Sequence, residues 1–234
     1  MFEKLPGQRL LLYYCSFTCI YFPCILLLLK FNENIYNIGK YQSIPILLVL
    51  IFAELIKLIF HWIYNEQSLY LKIDSRLLSK SRKPWSRTLK EVIKFTVLTI
   101  LISLIYYIII VLFGAPLSSH REETTMLSIT LTTLTFIAPC LHLGVDTTLG
   151  LLSKLNAKND NIIVDAICLN IKLTLLGCWL GAIVIPLDWD RPWQEWPISC
   201  IIGSFFGYMI AHFITFIKVI PIKKYFKSNT KLHR

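Results

Sequence analysis

The chain has 234 residues, 55% hydrophobic and 16% charged, with a mean hydropathy of +0.60. A soluble domain carries about a quarter charged residues, so water is excluded as the main solvent and the bilayer takes its place. The net charge of +10 would indicate nucleic acid if the cations shared one folded, water-facing surface. They lie instead in loops and tails beside apolar runs, the pattern of membrane topology, and no nucleic-acid partner is expected.

A membrane-spanning helix needs about 20 apolar residues. The first such run is 10–29. It follows Lys4 and Arg9 as a signal peptide would, but it lacks a small-residue cleavage site and is long enough to span. The second run covers 44–64 and the third 92–113, with a strongly basic loop between them. The fourth, 124–143, is rich in threonine, whose hydroxyl can bond back to the preceding turn and so remain tolerable in lipid. The fifth covers 166–187 and the sixth 198–220. The expected fold is all-α: one polytopic membrane domain over 1–234, with about six transmembrane helices and short loops. The seven cysteines sit in or beside these runs without CxxC spacing, as small buried hydrophobes do.

The two sides of these spans differ in charge. One side holds 18 of the 24 Lys and Arg residues, the other holds Lys30, Lys40, Arg121 and Arg191, and Lys57 and Lys172 lie within spans. Cytoplasmic loops retain cations, so both termini and the 65–91 loop are expected in the cytosol and the 188–197 loop on the opposite face.

Within the second span Glu54, Lys57 and His61 stand at i, i+3 and i+7, near one helix face. Ionisable groups at membrane depth are costly and usually pair or mark a function. This triplet is either an intramembrane polar site or a self-neutralised Glu54–Lys57 pair that only packs. Lys172, near the cytosolic end of the fifth span, is expected to snorkel. His142 and His212 stand alone in sequence and are expected to be hydrogen-bonded packing residues. The Arg82-Lys83-Pro84-Trp85-Ser86-Arg87 segment is expected to anchor at the membrane surface.

The loop before the sixth span is compressed: Pro186-Leu187-Asp188-Trp189-Asp190-Arg191-Pro192-Trp193-Gln194-Glu195-Trp196-Pro197. Its prolines fix φ and its Asp and Arg can pair, so a rigid loop is expected, with tryptophans at head-group level. Asp188, Asp190 and Glu195 could hold a metal or act as acid and base. No nucleophile with a positioned base accompanies them. Docking of a partner or a lipid head group through Asp188, Trp189, Asp190, Arg191, Trp193 and Trp196 is the better reading, with no catalytic residue, metal or cofactor.

Gly177-Cys178-Trp179-Leu180-Gly181-Ala182, Ile185 to Gln194, and Trp196-Pro197-Ile198-Ser199-Cys200 closely resemble the class F phosphatidylinositol-glycan (PIG-F) family of GPI-anchor biosynthesis. Phe113-Gly114-Ala115-Pro116-Leu117 and Pro139-Cys140-Leu141 look like further landmarks in the right order. Cys178 departs from the family's usual small alanine. The resemblance implies a multi-pass endoplasmic-reticulum protein, both termini cytosolic. It would act as a non-catalytic stabilising subunit of the transferase that adds ethanolamine phosphate to mannoses of the GPI precursor. The implied partners are the catalytic subunit, phospholipid and the GPI precursor. Two alternatives remain open: a lipid transporter or scramblase using Glu54, Lys57 and His61, and a chain that is itself a lipid-modifying transferase. Gly177 to Gly181 and Gly203 to Gly207 repeat at small-xxx-small spacing, which allows close helix packing, within this chain or on a partner.

Overall fold

A computed structural model of the protein describes residues 6–31, 34–70, 85–116, 119–153, 161–187, 189 and 191–220. Asp188, Asp190 and the cations at positions 72–83 and 223–234 lie outside the described residues. Six helical segments are long and apolar enough to cross a membrane: Leu11–Phe31, Tyr41–Phe60, Leu89–Leu112, Arg121–Leu143, Ile162–Ile183 and Ile198–Val219. No strand occurs among the described residues. The helices that carry these segments are α1 (Pro6–Phe31), α2 (Ile44–Tyr70), α3 (Trp85–Leu112), α4 (Arg121–Thr132), α5 (Ala138–Leu143), α7 (Ile162–Ile183) and α8 (Ile198–Val219).

The threonine-rich fourth span is the centre of the bundle. In its most apolar window 72% of the residues are buried, against 11% for α3. Its hydroxyls are satisfied within the helix, as Thr130 Oγ1 donates to the Met126 carbonyl at 2.8 Å, Thr132 to Ser128 at 2.8 Å and Thr135 to Leu131 at 2.7 Å. Removed from lipid, these groups cost little. The span is not one regular helix: a π-helical turn, Thr133–Ile137, joins α4 to α5. Pro139 explains the break, because it has no N–H to give to the Thr135 carbonyl four residues back, and the ladder shifts just ahead of it.

Gly144, at φ +82°, ends α5 in a conformation that L side chains avoid. A short helix, α6 (Val145–Ser153), follows. It is not foreseen in the sequence reading, where 144–165 is a loop. Val145 and Leu152 pack on Phe136 and Cys140, and Lys94 pairs with Asp146. The fifth span also begins earlier than expected, at Ile162, where Asn161 Oδ1 accepts from the Ile163 amide at 3.0 Å as an N-cap.

Around the central span, Phe22 of α1 stacks on Tyr208 of α8 at 5.4 Å and meets Phe205 edge-on at 5.5 Å. Leu47 and Leu50 of α2, Met126, Leu127 and Leu134 of the fourth span and Ile201 of α8 complete the core. Helices α7 and α8 touch backbone to backbone. A Cβ on Gly177 would strike the carbonyl of Gly203, one on Gly181 that of Ser199, and one on Gly207 that of Leu173. Gly177, Gly181, Gly203 and Gly207 thus face each other's helices inside this chain.

Candidate functional site

Glu54 and Lys57 are 4% and 3% exposed, and the bundle builds a polar centre around them. Lys57 Nζ donates to Glu54 Oε1 at 2.6 Å. The Tyr208 hydroxyl of α8 donates to the same oxygen at 2.8 Å and the Tyr21 hydroxyl of α1 at 3.3 Å. On the other oxygen, Oε2, His142 Nε2 of α5 sits at 2.9 Å. An ionised carboxylate only accepts, so the histidine nitrogen is the donor there. Four side chains from four elements therefore converge on one carboxylate. Lys57 also lies 5.5 Å from the centre of the Tyr21 ring, a cation–π position.

A second layer continues from Tyr208. The His212 ring packs on the Tyr208 ring at 4.7 Å, and Asn170 Nδ2 of α7 lies 3.0 Å from His212 Nε2. Glu54, Lys57, His142, Asn170, Tyr208 and His212 share the lining of a cavity of about 50 Å³. An ion pair taken out of water is tolerable only when its remaining donors and acceptors are met. The Glu54 carboxylate meets that condition.

Of the expected triplet, Glu54 and Lys57 are at this centre, while the His61 side chain lies outside the described residues. The histidines that do join it are His142 and His212, expected from the sequence only as hydrogen-bonded packing residues; both are hydrogen-bonded, and their partners belong to this centre. His142 is 88 residues from Glu54 and Tyr208 is 154. No spacing rule reaches across such separations. Lys172 is exposed and stands ten residues beyond Ile162, near the middle of α7.

At the opposite end of the bundle, the 186–197 loop is held by a residue the sequence reading does not single out. Gln194 is buried. Its Nε2 donates to the carbonyls of Val184 at 3.0 Å and Leu187 at 2.6 Å, and its Oε1 accepts from the Arg191 amide at 3.0 Å. One neutral amide thus ties the loop to the end of α7. Trp196 Nε1 donates to Thr124 Oγ1 at 3.2 Å and so points back into the bundle. Trp189 and Arg191 are exposed, and Trp189 meets Trp193 edge-on at 5.8 Å. The expected Asp–Arg pair rests on Asp188 and Asp190, outside the described residues.

Residues 22–216 match the sequence model of the GPI biosynthesis protein family Pig-F. Among curated relatives, the human protein named GPI ethanolamine phosphate transferase, stabilizing subunit, is 35% identical over 143 residues, 60% of this chain and 64% of that protein. Glycosylphosphatidylinositol anchor biosynthesis protein 11 of Debaryomyces hansenii is 37% identical over 123 residues, 52% of each chain. Its counterpart in Candida albicans is 37% identical over 130 residues, 51% of this chain and 45% of that protein. The chain spans about half to two thirds of the length of these relatives. No solved structure matches it significantly.

Proposed function

Because the chain belongs to the GPI biosynthesis protein family Pig-F, we propose that it is a non-catalytic stabilising subunit of a GPI ethanolamine phosphate transferase in the endoplasmic-reticulum membrane. The observation that carries this reading is the human relative, whose name states that role. A mouse relative of the same name is 36% identical over 142 residues. A bundle of six apolar helices built around a buried Glu54–Lys57 pair fits the role of a membrane partner. The catalytic subunit is the partner, and the GPI precursor is the substrate of the complex.

The docking element in this reading is the loop after α7. Gln194 holds its backbone in place while Trp189 and Arg191 stay exposed. A rigid aromatic and a guanidinium on a fixed frame lose little entropy on binding, which is what makes such residues interface anchors. Changing Trp189→Ala together with Arg191→Ala is expected to abolish co-purification of the catalytic subunit in mild detergent, while the variant chain remains in the membrane at its normal level. Full recovery of the catalytic subunit with the double variant would remove the loop from the interface. Unchanged abundance of the catalytic subunit in cells lacking this chain would overturn the stabilising role itself.

A further inference from the structure

The cavity beside Glu54 has features that a packing defect or a self-contained ion pair lacks. First, it carries unused hydrogen-bonding capacity. Asn170 is 9% exposed and lines it, and its Oδ1 is buried with no hydrogen-bond partner. An amide group left this way costs free energy unless something completes it. Lys57 has three N–H groups and gives one to Glu54, which leaves donors for an anion. Second, the cavity has room. At about 50 Å³ it exceeds what one water needs and matches a small polar group. Third, its remaining wall is apolar, with Leu11 of α1, Ile163 and Ala166 of α7 and Ala211 of α8.

The depth fixes the kind of ligand. Asn170 stands eight residues beyond Ile162, where α7 begins, and His212 seven before Val219, where α8 ends. At 1.5 Å per residue both are about 10–12 Å from the same end of the bundle. A lipid reaches such a site from the bilayer with its charged group leading and its chains left in an apolar setting, which the apolar wall supplies. An open acceptor on Asn170 and the spare N–H donors of the Lys57 ammonium, set in an apolar wall, are complementary to a head group with a donor next to an anion. Glu54 is already filled by four donors and serves to hold Lys57, Tyr208 and His142 in place rather than to bind.

We propose that this cavity is a binding site for a phospholipid head group that bears an N–H or O–H donor beside its phosphate. The phosphate lies toward Lys57, the donor completes Asn170, and the acyl chains run along the apolar wall. This assignment is independent of the transferase role, because it concerns the isolated chain.

The test is native mass spectrometry of the purified full chain in detergent. Phosphatidylethanolamine and phosphatidylglycerol both carry a donor, phosphatidylcholine has none, and glycerophosphoethanolamine is the head group without acyl chains. The first two are expected to bind about tenfold tighter than phosphatidylcholine, the value of one well-placed hydrogen bond. Asn170→Leu is expected to bring them down to the phosphatidylcholine level. Ala166→Phe, which fills the cavity without touching its polar groups, is expected to abolish the selective binding. Glycerophosphoethanolamine is expected to bind weakly. Equal binding of all three lipids to the unaltered chain would overturn the proposal. So would selective binding that survives both substitutions, and tight binding of glycerophosphoethanolamine would replace a lipid site with one for a soluble molecule.

Discussion

Glu54 shows why a single carboxylate can organise a membrane bundle. Its partners come from α1, α2, α5 and α8, so it links helices that are far apart in sequence. Glu54→Gln keeps the shape but removes the charge that offsets Lys57. An unpaired buried cation costs about 3–5 kcal/mol, whereas removing both members of a pair is often close to neutral. Glu54→Gln is therefore expected to lower the thermal unfolding midpoint in detergent sharply, and the double variant Glu54→Gln, Lys57→Met to recover most of the loss. A double variant as unstable as the single one would mean that the carboxylate's hydrogen bonds, not the charge balance, dominate. Half of this site is visible in the sequence: Glu54 and Lys57 are three residues apart on one helix, and charge in an apolar run attracts notice. His142, Tyr208 and Asn170 are not visible, because each is unremarkable in its own segment and becomes polar-site lining only when the helices pack. Gln194 escapes for a related reason. A neutral amide among tryptophans and acids carries no signal until the carbonyls it satisfies are known.

At the scale of elements, hydrophobic run length finds the six spans, because crossing a bilayer demands length whatever the packing. It misplaces what packing decides. The π-helical turn at Thr133–Ile137 and the short helix α6 both follow from one proline and one glycine, Pro139 and Gly144, whose consequences depend on neighbouring turns. The glycines of α7 and α8 announce close approach by spacing, but spacing does not say whose backbone approaches. The contact is internal: Gly177 and Gly203 stand against each other. Gly203→Leu forces the two backbones apart and is expected to cost about 3 kcal/mol, at the upper end of overpacking penalties. Gly150 of α6 is the control, since a Cβ there meets nothing within 4 Å. Gly150→Ala is expected to be neutral or stabilising by up to about 1 kcal/mol. Thermal unfolding in one detergent compares the two, and equal midpoints for both variants would show that the α7–α8 contact is not tight in solution.

At the scale of the whole molecule, the question is which way the bundle faces. Six spans are an even number, which puts both ends of the chain on one side. Helix α6 does not alter that parity: its nine residues reach about 14 Å at 1.5 Å per residue, less than half of the roughly 30 Å of hydrocarbon. From the charge asymmetry of 18 against 4 we propose the cytosol as the side of the termini. The proposed orientation would put the Trp189 loop on the far side and the Asn170 cavity in the cytosolic half, so the two regions would act on opposite leaflets. A membrane-impermeant maleimide applied to sealed microsomes tests this directly, in a chain whose native cysteines have been replaced by serine or alanine. Cysteine at Ser153, exposed at the end of α6, is expected to react at once. Cysteine at Trp189 is expected to react only after the vesicles are permeabilised. The reverse pattern would invert the topology, and it would move the lipid cavity to the lumenal leaflet while leaving its chemistry intact.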